Sequence, residues 1–390
     1  MSTGRAAATS ASASASASGN LDAVLGRYRA LLGEALLQAI RDARKSTPSA
    51  AVSADILDEF YGQIEYHHGW RASDLQPTPW HPGKLIRPTL LLLACEVAAG
   101  QSGKRGQSDG EQQEAIQRAI PAALAVELVH NFSLVHDDIE DGDEERHHQP
   151  TLWKLWGVPL AINTGDGIFA LARLQLSHLR ARGVPAETVI ELSARLDATC
   201  IELCEGQHLD MRFEGRQDVT VAMYLDMIGR KTAALMDCAT RMGSLIGAPE
   251  NQTLSDQLGA FGRALGIGFQ LRDDMLGIWS AQALGKTEAG DLRHKKMSLP
   301  VISALEDATP ADRRALARIY GQRGPVSEAQ IATLLEILER SGARERTRTM
   351  LREQCDQARA LLDSACANTS SNDACAALGA ILDFVAAEGI

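Results

Sequence analysis

Positive charge and aromatic side chains are what this 390-residue sequence has least of. Lys and Arg total 39 against 50 Asp and Glu, a net charge of -11, and aromatics make up 4%. A chain that grips a phosphate backbone needs a basic footprint, so nucleic-acid binding is excluded as a class. An anionic substrate would have to be drawn in by something other than bulk charge, and a bound divalent metal would do so. Cysteine is sparse and odd in number: the seven lack the dense regular spacing of a secreted disulfide framework, which fits a reducing, cytoplasmic setting. Cys200 and Cys204 stand one helical turn apart with no second pair or histidine set to complete a zinc pattern, so they read as buried thiols. No run of about twenty apolar residues is present to cross a membrane. Neither a strand-turn-helix phosphate loop nor a GxGxxG after a strand occurs, which removes those nucleotide sites.

Hydrophobic residues at 45% and charged ones at 23% suffice for a large core and a solvated surface. Residues 1–18 form a Ser/Ala stretch with one arginine, too polar for a secretory signal and too poor in arginine for a transit peptide, so residues 1–20 are expected to be a disordered tail. From Leu21 to the end, apolar residues recur every three or four positions, the signature of helix after helix. The expected fold is all-α, one large helical bundle over 21–390. Central helices are predicted at 85–99, 115–139, 160–180, 186–213, 219–246 and 254–279, with shorter ones over 297–388. Gly-rich polar breaks at 101–112, 215–218, 247–251 and 285–293 mark loops.

Two of these helices end in carboxylates. In HNFSLVHDDIED, residues 130–141, Asp137 and Asp141 are four apart and share a helix face, about 5–6 Å apart at Cβ. Carboxylates so placed can bridge a hard cation and leave water positions open for a phosphate, a pattern suited to Mg²⁺. Alone, the cluster reads as well as a solvated helix end. Asp273 and Asp274 close a second apolar helix in GFQLRDDMLG, residues 268–277, and two such sites facing each other would hold a polyphosphate between metals. Cations stand near the helix ends and breaks: Lys84, Arg87, Arg146, Lys231, Lys286 and Lys296. Each is ordinary surface charge by itself; together they are the usual phosphate holders.

At these residues the sequence resembles the trans-type polyprenyl diphosphate synthases, which include farnesyl and geranylgeranyl diphosphate synthases. The resemblance runs from about residue 55 to the C-terminus. It is carried by GKLIRP (83–88), HNFSLVHDDIED (130–141), RHHQPT (146–151), GDGIF (165–169), GQHLD (206–210), KT (231–232), FQLRDD (269–274), and GK with DLRHKKMSLP between 285 and 300. It implies a helical bundle around a deep cavity, a homodimer, and Mg²⁺, three ions per site, held by Asp137, Asp138, Asp141 and Asp273, with Asp274 and Lys231 in the catalytic set. It further implies that Arg146, Lys231, Thr232, Gln270, Lys286 and Lys296 contact an allylic diphosphate. Gly83, Lys84, Arg87, His130 and His147 would hold isopentenyl diphosphate. Metal ions and lysines would then stabilise the departing pyrophosphate, and the isopentenyl double bond would attack the allylic cation.

The sequence departs from the family pattern twice. Gly277 stands where many relatives carry a third aspartate, and His147 where they commonly have a second arginine. Phe132, five residues before Asp137, sits about 7–8 Å along the helix axis and can form a floor for the growing chain; it reads equally well as an ordinary core residue. With Ser133 at minus four, the pattern resembles geranylgeranyl-forming enzymes and implies a C20 product, with farnesyl diphosphate second. A class I terpene cyclase would carry an Asn/Asp-Ser-Glu triad, absent here, though a synthase-derived cyclase stays open. A non-catalytic partner subunit would have lost metal ligands, and both aspartate pairs are present.

Overall fold

Alanine, leucine and straight-chain charged residues lose little rotamer freedom in a helix, and they dominate this chain. The computed structural model describes residues 3–46, 54–80, 83–101, 109–146, 148–283 and 289–387, and these are mostly helical. The helices are α1 (Thr3–Ser46), α2 (Ala54–His67), α3 (Ile86–Ala99), α4 (Asp109–Glu140), α5 (Leu152–Trp156), α6 (Val158–His178), α7 (Ala186–Phe213), α8 (Val221–Ile228) and α9 (Ala234–Gly247). They continue with α10 (Gln252–Ala283), α11 (Gly290–Arg293), α12 (Leu299–Asp307), α13 (Pro310–Gly321), α14 (Glu328–Arg340), α15 (Ala343–Cys366) and α16 (Asn372–Ala386).

The core is built on α3, whose Leu90, Leu91, Leu92 and Leu93 are wholly enclosed. Helix α9 lies against it almost backbone to backbone. A Cβ on Gly243 would come within 2.9 Å of the Leu91 carbonyl carbon, so only glycine allows that approach. On its other side α9 packs on α10, and α4 packs between α3 and α6. The stretch Gly110–Glu140 of α4 is long and apolar enough by composition to cross a bilayer, contrary to the expectation that no such run exists; 72% of its most apolar window is buried in the fold. Its apolarity serves the core.

Three other features differ from the expectations. The backbone of α1 is helical from Thr3, so the Ser/Ala stretch expected as a disordered tail continues the helix, in keeping with the high helix propensity of alanine. The predicted helix 219–246 is divided: α8 and α9 are joined by a π-helical turn, Gly229–Ala233. Cys366 and Cys375, nine residues apart, form a disulfide across the turn from α15 to α16, and Cys204 is exposed whereas Cys200 is buried. A two-stranded hairpin, β1 (Glu145–Arg146) with β2 (Gln149–Pro150), follows the first acidic cluster. Strands of two residues are too short to leave an alternating pattern in a sequence.

Candidate active site

A cavity of about 710 Å³ opens among α3, α4, the π-turn and α10. Asp137 lines it from the end of α4 and Asp273 from the interior of α10, which runs on to Ala283 instead of closing at the aspartates as expected; the structure still brings the two acidic clusters to one cavity. Electrostatics ties them further. Burial opposes charge on Lys296, but Asp291, Asp274, Asp210 and Asp141 outweigh it and hold its pKa up, so one lysine feels both clusters. Lys231 is likewise held protonated against burial by Asp210, Asp137 and Asp141, and its ammonium donates to Asp210 Oδ2 at 2.5 Å.

Neighbouring aspartates have different surroundings. Asp138 is 3% exposed and accepts from Arg146, Nε at 2.7 Å and Nη2 at 2.5 Å. Asp274 is 1% exposed and fully engaged: it accepts from the Tyr224 hydroxyl, from Gln270 Nε2 at 3.1 Å and from the Leu299 amide at 3.0 Å. Adjacent residues on a helix point about 100° apart, so Asp273 turns to the cavity while Asp274 turns to the core. Burial pushes the Asp137 pKa up to about 7, Lys231 opposing and Asp141 and Glu140 adding. Burial likewise raises Asp273 to about 6, with Arg272 opposing.

Arg87, in the first turn of α3, donates from Nη1 to His130 Nε2 at 3.0 Å, and both line the cavity with Gly83 and Lys84. Burial lowers the Arg87 pKa, while Glu127 and Asp273 support its charge. Lys84 Nζ lies 5.2 Å from the Phe384 ring centroid and the Arg272 guanidinium 4.2 Å, so α16 supports both sides of the site. Thr232 Oγ1 donates to Gln270 Oε1 at 3.0 Å, linking the π-turn to α10. Ser133 lines the cavity and donates to the His130 carbonyl at 2.8 Å. Phe132 is turned aside, its ring 5.0 Å from Phe169 on α6. Lys286 and His147 lie outside the described residues.

Several contributors were not singled out from the sequence. Asp210 lies in the quoted GQHLD motif, yet its pairing with Lys231 crosses two helices. In the same motif Gly206 admits the π-turn, for a Cβ there would lie 2.7 Å from Lys231 Cα. Glu127 is buried, accepts from Asn131 Nδ2 at 2.9 Å, and is pushed up to about 7 mainly by burial, with Arg87 opposing. Tyr66 donates to the Pro150 carbonyl at 2.7 Å and Trp153 Nε1 to that of Asp143 at 2.8 Å, pinning the hairpin that carries Arg146. His68 stacks on Trp70 and Trp70 on Trp80, at centroid distances of 5.6 and 5.5 Å, and all three rings line the same cavity. A second cavity of about 640 Å³, between α1 and α2, is lined by the ion-paired Arg44, Asp58, Arg71 and Glu65 and by none of the aspartates of the two acidic clusters.

A mostly helical body whose cavity is lined by Asp137 and Asp273 and by Lys84, Arg87 and Lys231 has the acidic and cationic groups that an enzyme acting on a metal-bound diphosphate needs. Residues 75–338 match the family model for polyprenyl synthetase. Over 303 residues, 76% of this chain and 79% of the relative, the sequence is 39% identical to (2E,6E)-farnesyl diphosphate synthase of Mycobacterium tuberculosis. To geranylgeranyl diphosphate synthase of the same organism it is 34% identical over 321 residues, 82% and 86% of the two chains. The crystal structure of a polyprenyl synthetase from Streptomyces coelicolor A3(2) superposes with a TM-score of 0.77 at 34% identity, covering 94% of this chain and 99% of that one. The chain belongs to the polyprenyl synthetase family, and it is a prenyl-transferring enzyme. The family acts on isoprenoid diphosphates and uses a divalent metal.

Proposed function

We propose that this enzyme condenses isopentenyl diphosphate with an allylic diphosphate and releases all-trans geranylgeranyl diphosphate. The observation that carries the reading is one cavity lined by Asp137 of α4 and Asp273 of α10 together with Lys84, Arg87 and Lys231. Asp137, Asp141 and Asp273 fit a hard divalent cation by their chemistry: they are oxygen donors, and burial makes their charge costly in its absence. Among the described residues no three His, Cys, Asp or Glu side chains converge to ligate one ion, so the shell of Mg²⁺, three ions in the family pattern, would be completed by water and diphosphate oxygens. Bound there, the ions would neutralise charge building on the leaving pyrophosphate.

The protein's own groups account for the rest. Lys231 and Lys296 hold the allylic diphosphate and favour cleavage of its C–O bond. Arg87, Lys84 and His130 hold isopentenyl diphosphate so that its double bond meets the allylic cation. The new C–C bond forms, a proton leaves the isopentenyl unit for a pyrophosphate oxygen, and the apolar side chains lining the cavity, Ile86, Leu134 and Phe269 among them, exclude water from the cation. Arg146 holds Asp138, and Tyr224 with Gln270 holds Asp274; both aspartates act by positioning their neighbours.

A homodimer is part of the proposal. Val158 and Ile162 on α6, and Ile190 and Ile201 on α7, present large apolar side chains to solvent, the last two at 69% and 63% exposure. Their spacings of four and eleven residues keep each pair on one helix face, which suits a second copy. Light scattering reads the state directly. Farnesyl diphosphate is the second reading for the product, favoured by the 39% identity to an enzyme of that name. Incubation with Mg²⁺, labelled isopentenyl diphosphate and dimethylallyl, geranyl or farnesyl diphosphate, then chromatography of the dephosphorylated products, decides between C20 and C15. No elongation from any starter by folded protein would overturn the synthase reading.

A further inference from the structure

Of the lysines and arginines that line the cavity, Arg146 and Lys231 are ion-paired with Asp138 and Asp210, and Arg87 is bonded to His130. Lys84 and Arg29 line it too, and neither has an ion pair or a hydrogen bond among the described residues; the Nε of Arg29 is a buried donor without an acceptor. Such a donor is costly to bury unless something accepts from it. Arg29 stands on α1, one turn before Gly33, and the Trp80 ring lies over that glycine. A Cβ on Gly33 would be 2.9 Å from Trp80 Cζ2 and nearer still to the atoms beyond it, so only glycine admits the ring. Trp80 donates from Nε1 to the His68 carbonyl at 3.1 Å and stacks on Trp70 with the two planes 9° apart. The indole beside Arg29 is thus fixed by α1, by the His68 backbone and by a second indole. Gly83 and Lys84 follow Trp80 by three and four residues, no more than about 14 Å of chain.

We propose that Arg29 is a specificity-determining contact for isopentenyl diphosphate: with Lys84 and Arg87 it holds that substrate's diphosphate directly, and Trp80, stacked on Trp70, fixes the wall beside its guanidinium. The two diphosphates are then held by different means. The allylic one belongs at Asp137 and Asp273, where carboxylates require a cation between protein and phosphate. Arg29 and Lys84 have no carboxylate partner competing for their charge, so an anion can bind them without a metal, and the planar guanidinium fork matches phosphate oxygens two at a time. Arg29 precedes residues 75–338, the span matched by the family model, so α1 adds a wall to the site from a part of the chain outside that span.

The inference rests on the function proposed above, and the test separates the two. KM values for isopentenyl diphosphate and for geranyl diphosphate are measured on the full chain with Mg²⁺, and isopentenyl diphosphate is titrated without metal while tryptophan emission is followed. Arg29→Gln is expected to raise the KM for isopentenyl diphosphate about tenfold, the scale of one lost charge-assisted hydrogen bond, and that for geranyl diphosphate less than about twofold. Arg29→Lys keeps the charge without the fork and should recover part of the loss. A residue that only supported the fold would move both KM values or neither. Saturating isopentenyl diphosphate should change the emission of the wild type more than that of Trp80→Phe, because Trp80 lies beside the bound anion. Equal rises in the two KM values, an unchanged KM for isopentenyl diphosphate in folded Arg29→Gln, or an emission change as large in Trp80→Phe as in the wild type overturns the assignment and leaves the synthase reading intact. Wild-type protein that elongates no starter overturns the synthase reading. The metal-free titration then decides alone: a tenfold weakening in Arg29→Gln keeps the contact, and absent or unweakened binding removes it as well.

Discussion

The Tyr224 hydroxyl, on α8, donates to the buried carboxylate of Asp274, on α10, and so joins the helix before the π-turn to the second acidic site. Tyr224→Phe leaves Asp274 with two partners in place of three. A buried group deprived of a hydrogen bond costs about 1–3 kcal/mol. Urea denaturation should show a loss of that order, with activity falling as Asp274 shifts. Asp273→Asn, by contrast, should leave stability unchanged or raised, since it removes a buried charge, and reduce kcat at least a hundredfold.

The π-turn places Lys231, and Gly206 is what admits the turn. Gly206→Ala puts a methyl group against the Lys231 backbone. Overpacking of this kind costs about 1–3 kcal/mol. We expect lower thermal stability together with a kcat close to that of Lys231→Ala. A stable Gly206→Ala enzyme with full activity would show that the close approach is dispensable.

Stability of the metal-free protein should fall as pH rises. Asp137 and Glu127 titrate near 7 and Asp273 and Asp291 near 6 in the fold, all above their unfolded values of 3.8 or 4.5. The folded state therefore binds more protons than the unfolded one from about pH 4 to 7, and the stability present below pH 4 is lost progressively through that window. His68 acts the other way: its pKa is lowered from 6.5 to about 4 by burial, so its contribution is lost as pH falls from 6.5 to 4. Four carboxyl groups outnumber one imidazole. Urea midpoints in a chelator should be higher at pH 5 than at pH 7.5, and Mg²⁺ with pyrophosphate should narrow the difference.

Product length tests which side chain bounds the tail. Ser133 lines the cavity and Phe132 lies behind it on Phe169. Ser133→Phe should shorten the product, because it fills the cavity directly. Phe132→Ala should lengthen it only where the Phe169 ring moves into the gap it leaves. Chromatography of both variants' products reads the two effects separately.

Helix content and most boundaries were legible from apolar spacing, and α7 coincides with its predicted span of 186–213. The π-turn was not, because one residue's slip in hydrogen bonding leaves the apolar periodicity on either side almost unchanged. Both aspartate pairs and their cations were legible as motifs, and Asp137, Asp138 and Asp273 line one cavity with Lys84, Arg87, Arg146 and Lys231, whereas Asp274 faces the core. The different fates of Asp273 and Asp274 follow from helix geometry and needed only the orientation of α10. The pairings of Lys231 with Asp210 and of Gly277 with Asp291 join residues 21 and 14 positions apart on separate elements. Local pattern carries no trace of such contacts.

The hairpin after the first acidic cluster is gripped by Tyr66 and Trp153 at the carbonyls of Pro150 and Asp143. Every amino acid offers the same carbonyl. Apart from Arg146, which holds Asp138, the residues between those two points can therefore change while the loop stays in place, which makes this stretch a position where descendants of the enzyme can try new diphosphate contacts without first losing the fold.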